Sequence, residues 1–238
     1  QQMEQALHES LQRLKTDYLD LYQIHWPARK TNFFGRLGYQ YIEADSTSIE
    51  ETLEVLADFM HAGKVRHIGI SNETPWGVKR YLDLAALHNS PRIVSIQNPY
   101  SLLNRTYEIG LAEFSHRENI GLLAYSPLGF GMLTGKYSNN ARPEGARLTL
   151  YEHYSRYSDP QARQATDKYV DLAHQHGISP AQMALAYINT RTFLGANIIG
   201  ATSLEQLEEN IRSIDVKLDN EIIEGIEAIH KQFPNPSP

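Results

Sequence analysis

The chain has no cysteine. Disulfides, thiolate nucleophiles and Cys-ligated zinc are excluded together, and the absence fits a reducing compartment. No apolar run approaches the roughly 20 residues needed to cross a bilayer, and no signal-peptide core is visible. Clustered positive charge is missing too. Against 28 Asp and Glu stand 22 Lys and Arg, a formal charge of −6. Phosphate-backbone binding draws on clustered cations, so no nucleic-acid partner is expected. The basic residues are scattered, and the pair Arg29-Lys30 reads as solvated surface. There is no internal repeat of roughly 20–50 residues and no low-complexity tract, which removes solenoids. What remains is a soluble, cytoplasmic protein with no membrane partner.

The 238 residues, 41% of them hydrophobic, suffice for one sizeable core, and a single domain over residues 1–238 is expected. Strand-like and helix-like stretches alternate. Met3, Leu7, Leu11 and Leu14 recur at helical spacing, and the run Tyr18–Ile24 follows, ending in His25-Trp26-Pro27. Ser48 and Glu51 can cap a helix that closes at Gly63. Strands are then expected at Val65–Ile70, Ile93–Gln97, Gly121–Tyr125 and Asn197–Ile199. Helices are expected from Thr74-Pro75, over about 107–118, 161–176, 180–191 and 220–231, and after the cap Ser203-x-x-Gln206. Residues 126–160 read as a long loop.

Alternating units of this kind imply a parallel sheet, either a barrel or a doubly wound fold. A closed (β/α)8 barrel needs eight strands, and five are countable. Because the chain opens at Gln1 inside a helical pattern, three further units are expected upstream of it.

Each strand ends in polar groups. His25 ends the first, Ser71-Asn72 the second, Gln97-Asn98 the third, Tyr125-Ser126-Pro127-Leu128-Gly129 the fourth, and Gly200-Ala201-Thr202-Ser203 follows the fifth. In a parallel barrel these ends share one side, where sites are built. Amide and hydroxyl groups suit a carboxamide, and Tyr125 offers a flat face to a ring. Gly129, Gly131 and Gly135 let backbone approach a pyrophosphate, with Lys136 to meet its charge. A helix opening at Ser203 presents N–H groups to a second anion. Taken singly, each of these is an ordinary turn or core residue. Together they describe a dinucleotide with an extra phosphate.

The blocks Asp17–His25, Gly63–Asn72, Gln97–Ser101, Tyr125–Gly129 and Gly200–Thr202 resemble, in order, those of the aldo-keto reductases. Ser101-Leu102-Leu103-Asn104-Arg105 and Leu128–Gly131 are similar to its bacterial Tas-type branch. The resemblance implies a (β/α)8 barrel, an NADP(H) cofactor and hydride transfer to an aldehyde or ketone. It implies that Ser71, Asn72 and Gln97 bind the nicotinamide carboxamide and that Tyr125 stacks on its ring. Ser126, Pro127, Leu128, Gly129, Gly131 and Lys136 would line the pyrophosphate, with Arg147 in the loop above it. Gly200, Thr202 and Gln206 would meet the 2′-phosphate, and Glu209 and Asn210 the adenine. His25 matches the histidine that orients the carbonyl. The family's tyrosine, lysine and aspartate are expected upstream of Gln1, so this chain alone is expected to be inactive. A non-catalytic NADPH-binding sensor, resembling potassium-channel β subunits, is the alternative. A metal-dependent hydrolase built on His25 lacks a second ligand at familiar spacing, and no metal is expected. Trp26 and residues 33–41 are expected at the substrate mouth.

Overall fold

The computed structural model describes residues 1–32, 36, 38–43, 46–151 and 153–238. Five strands, β1 Leu19–Ile24, β2 Val65–Ser71, β3 Ile93–Pro99, β4 Gly121–Tyr125 and β5 Leu194–Asn197, form one sheet. Every neighbouring pair is parallel and the spatial order equals the sequence order. A doubly wound sheet reverses its strand order at a switch point; none of the five described strands does.

Helix α1 is Gln2–Leu14, α2 Ile49–His61, α3 Pro75–Leu87, α4 Leu111–Glu118 and α5 Arg147–Leu150. The later ones are α6 Pro160–Gln175, α7 Pro180–Asn189, α8 Leu204–Arg212 and α9 Asn220–Gln232. The start signals act as their chemistry suggests. Ser48 Oγ accepts from the Glu51 N–H at 3.0 Å, and Thr74 Oγ1 accepts from the Gly77 N–H at 3.4 Å. Among the described residues no helix is long and apolar enough to cross a membrane.

Two expected elements are displaced. The helix expected over 107–118 is broken: a 3₁₀ turn covers Thr106–Glu108, and Gly110 takes φ 97° before α4 begins. There a Cβ would lie 3.3 Å from Pro75 at the start of α3, so the break also packs. The fifth strand lies earlier than Asn197–Ile199. Gly195 approaches Gly121 so closely that a Cβ on Gly121 would sit 3.2 Å from its Cα, and pairing with β4 therefore begins there. Ile198 then gives only its N–H, to Ala124 O at 2.8 Å. The expected loop of residues 126–160 contains short 3₁₀ turns and α5.

The register sorts side chains by face, since successive residues of a strand point oppositely. Ile24, Ile70, Ile96 and Leu122 lie side by side, and the last three are buried against Leu53, Leu56 and Phe59 of α2 and Val78 and Leu84 of α3. Each such side chain, fully buried, is worth about 1.5–3 kcal/mol. The alternate row is small or polar: Gln23, Gly69, Ser95 and Gly121. Two residues further along that row come His25, Ser71, Gln97 and Leu123, and two beyond Leu123 comes Tyr125. His25, Ser71, Gln97 and Tyr125 thus belong to one face. A second core, with Leu103, Met132, Tyr169, Tyr187 and Ile226, joins the loop after β4 to α6, α7 and α9.

Candidate active site

Asn72 is the joint of the strand ends. Its φ of 55° is left-handed, which asparagine tolerates better than most residues. In that conformation its N–H donates to Gln97 O at 3.1 Å. Its side-chain Nδ2 donates to the His25 carbonyl at 2.8 Å and to Ser71 Oγ at 3.2 Å. Its Oδ1 accepts from the Tyr125 hydroxyl at 2.6 Å. One residue, 6% exposed, therefore ties together the ends of β1, β2, β3 and β4 through its backbone N–H and its side-chain amide. The Ser71 hydroxyl in turn donates to Gln97 O. The sequence assigns Asn72 and Tyr125 to a ligand; the structure binds them to each other, because a buried amide and phenol must find partners. His25 is exposed, and its ring lies against Trp26 with centroids 4.2 Å apart. Burial raises the Tyr125 pKa above the usual phenol value, and a hydrogen bond with Arg156 opposes the rise.

The glycine-rich loop carries the second group. Ser126, Gly129, Phe130, Gly131 and Gly135 all take positive φ, between 54° and 92°. The chain coils through consecutive turns, with Gly129 N–H donating to Ser126 O and Gly131 N–H to Leu128 O, both at 2.9 Å. Pro127 is buried beneath them. Lys136 folds back over Gly131, where a Cβ would lie 2.7 Å from its Cε and 3.0 Å from its Nζ. The Arg147 guanidinium lies 4.3 Å from the Phe130 ring centroid and 5.1 Å from that of Tyr154. Two cations thus converge on one turn, and burial holds the Lys136 pKa below the usual lysine value.

The third group, around the start of α8, is more engaged within the protein than the sequence implies. The backbone N–H and hydroxyl of Thr202 both donate to Gln206 Oε1, at 3.0 and 3.1 Å, and Ser203 Oγ caps the helix at 3.3 Å. Glu209 accepts the Ser179 hydroxyl, and buried Asn210 donates to Gly200 O at 3.3 Å. Glu209 and Asn210 therefore brace α8 against α7 and the Gly200 turn, while Thr202 and Gln206 stay exposed.

Two charged residues near the joint escape the sequence reading. Glu73, next to Asn72, has a side chain only 3% exposed and is paired with Arg29, 24% exposed. The expectation of a solvated Arg29-Lys30 surface is corrected for Arg29, whose fork meets both carboxylate oxygens. A carboxylate directly after two strand-end polar residues was the available signal. Asn98 belongs here as well, bonding the Glu73 backbone at both its N–H and its C=O, at 3.1 and 2.9 Å. A cavity of about 220 Å³ opens beside these groups, lined by Asn72, Glu73, Asn98 and Arg156. Trp26 lines a separate cleft of about 620 Å³ with Arg29 and Trp76. Of the expected mouth residues, 33–35 and 37 lie outside the described residues.

A parallel α/β sheet whose polar residues collect at the carboxyl ends of adjacent strands defines a class of proteins that build their sites at that end. The chain belongs to the aldo/keto reductase family, whose profile matches residues 1–231. "Protein tas" of Escherichia coli K12 is 54% identical over 235 residues, covering 98% of this chain and 68% of that protein. An "Aldo-keto reductase" of Babesia bovis is 36% identical over 220 residues, 87% of this chain and 77% of that one. A "NADH-specific methylglyoxal reductase" of Escherichia coli K12 is 30% identical over 211 residues, 89% of this chain and 59% of that one. The family is one of oxidoreductases that act on small molecules and generally use NAD(P)H.

Proposed function

We propose that the protein reduces an aldehyde or ketone with NADPH, that its sheet is part of a (β/α)8 barrel, and that this chain holds the cofactor and orients the carbonyl. The observation that carries the reading is the loop in which Lys136 lies over Gly131 and Arg147 over Phe130, which follows Tyr125, itself bonded to Asn72. The residues fit a dinucleotide. A side chain at position 131 would occupy the space Lys136 uses, and two cations on a turn rich in positive φ suit a pyrophosphate. When bound, the nicotinamide supplies the hydride.

The chain's own residues do the rest. Ser71 and Gln97, on the inward row, read the carboxamide, and Asn72 fixes their spacing. The Tyr125 ring is held by its hydroxyl bond and offers its face. Ser126, Pro127, Leu128, Gly129 and Gly131 shape the phosphate turn, and Lys136 and Arg147 neutralise it. In its partly buried setting the attraction between charged Lys136 and a phosphate is stronger than it would be in bulk water. Gly200, Thr202 and Gln206 meet the 2′-phosphate, with Glu209 and Asn210 bracing the adenine side. His25 orients the substrate oxygen. Its ring packs against Trp26, and its carbonyl accepts from Asn72.

Thr202 and Gln206 are neutral, so the preference for NADPH over NADH is about tenfold, as one or two neutral hydrogen bonds supply. Fluorescence titration tests this. Saturable quenching of Trp and Tyr emission by NADPH is expected, with NADH about tenfold weaker, and no quench by either would sink the reading. With 4-nitrobenzaldehyde as substrate, His25→Gln is expected to lower kcat/KM about 10²-fold through misplacement of the carbonyl.

A further inference from the structure

We infer that Arg29 and Glu73 form a clamp that positions the His25–Asn72 joint; the inference rests on the reading of that joint as the reaction site. Glu73 follows Asn72 directly, and Arg29 stands four residues after His25 on the loop that leaves β1. Arg29 Nη1 donates to Glu73 Oε2 at 3.0 Å, and Nη2 donates to Oε1 and to Thr74 Oγ1, the latter at 3.1 Å. The Thr74 N–H donates to the same Oε1 at 2.7 Å, and Asn98 holds the Glu73 backbone. The guanidinium also lies 4.8 Å from the Trp76 ring centroid. A carboxylate this buried persists only when fully paired, and a planar fork meeting it at two points fixes direction as well as distance.

The clamp's place in the fold gives it a consequence beyond stability. Among the described residues, hydrogen bonds tie the loop after β1 to the turn after β2 at two places. One is the single Asn72–His25 bond, and the other is the Arg29–Glu73 fork a few residues on. The fork gives the loop carrying His25 a second anchor beyond that one bond. The start of α3 is fitted to the clamp, since a Cβ on Gly77 would lie 2.6 Å from Arg29 Nη2 and overlap the Glu73 carboxylate. Lys136 and Arg147 touch none of these groups in the contacts described above. Loss of the clamp should therefore misplace the carbonyl-orienting histidine while leaving phosphate binding intact.

The test uses Arg29→Gln, Arg29→Lys, Glu73→Gln and the double variant R29Q/E73Q, with Arg92→Gln of an exposed ion pair as control. Three quantities are read in each: hydrogen–deuterium exchange of residues 25–28 and 72–74, the NADPH dissociation constant, and kcat. Expected are faster exchange in both segments, kcat lower by about ten- to a hundredfold, and NADPH affinity within about twofold of wild type. The double variant should be no worse than either single one, as for members of one unit. Arg29→Lys should recover the charge but only part of the kcat, because an ammonium lacks the fork. Unchanged exchange, or unchanged kcat in folded variants, overturns the clamp. A wild-type protein that fails to oxidise NADPH overturns the proposed reaction instead, and the exchange measurement still decides the clamp.

Discussion

Gly77→Ala sets two effects of opposite sign against each other. Gly77 lies in the first turn of α3, and in an ordinary helix alanine is favoured over glycine by about 1 kcal/mol. Here the added methyl would overlap the Glu73 carboxyl and come within 2.6 Å of Arg29 Nη2. The flexible end of a side chain usually yields at small cost, but this one is held by both guanidinium nitrogens and by the Thr74 N–H. Moving it weakens charge-assisted hydrogen bonds worth about 1.5–3 kcal/mol each. Complete separation of a buried pair costs about 3–5 kcal/mol. Subtracting the helical gain leaves a net loss of about 2–4 kcal/mol. For a chain of this length, at about 2–4 °C per kcal/mol, that lowers Tm by roughly 4–16 °C, readable by calorimetry or circular dichroism. A Tm at or above wild type would refute the reasoning. The sign should also reverse in context: in a Glu73→Ala background the obstacle is gone, and Gly77→Ala should become neutral or stabilising.

Two further outcomes concern the glycine-rich loop. Gly131→Ala forces alanine to φ 92°, a strain of about 1–3 kcal/mol, and displaces Lys136; stability and NADPH affinity should both fall, the latter about tenfold by fluorescence titration. Gly145→Ala, at φ 72° with open space around it, should show the strain alone and unchanged affinity. The lowered Lys136 pKa gives a pH dependence whose sign follows from the charged form. As pH rises through that lowered pKa the cation is lost, so NADPH binding weakens at a lower pH than an ordinary lysine would give, near 10.4. Stability moves oppositely over the same window, because burial penalises only the charged lysine and that penalty vanishes as the proton leaves. Titrations of Lys136→Gln should lack the binding transition.

What the sequence disclosed follows what is local in the physics. Capping is a matter of three residues, so Ser48 and Thr74 could be read directly and the helices start where they indicate. Strand ends were legible because an apolar run breaks into polar residues at His25, Ser71, Gln97 and Tyr125. The register of a parallel sheet then places them on one face without further information. Two failures came from single small residues whose effect depends on a distant neighbour. Gly110 stops a helix where Pro75 approaches, and Gly195 starts a strand where it meets Gly121. Periodicity has no access to either contact.

The larger failure concerns Arg29 and Glu73, and it has a different cause. Exposure is the sound prior for a charged residue, since burying one alone is costly. That prior fails for pairs, because what makes burial tolerable is a partner 44 positions away in sequence. The bond between Asn72 and Tyr125 was equally invisible in the sequence. The sequence supplied two groups able to bind a carboxamide and a ring, and the structure shows that each first satisfies the other. This narrows their roles. On the proposed reading, a group whose hydrogen bonds are made inside the protein contributes its position, so Asn72 would act as the spacer of the joint and Tyr125 by its ring face. The backbone carbonyl of Gln97 carries the bonds from Ser71 and Asn72, which leaves its side-chain amide, on the proposed reading, as the group of this row that would read a ligand. On this argument Tyr125→Phe should weaken the joint more than it weakens nucleotide binding, and replacing Gln97 should do the reverse.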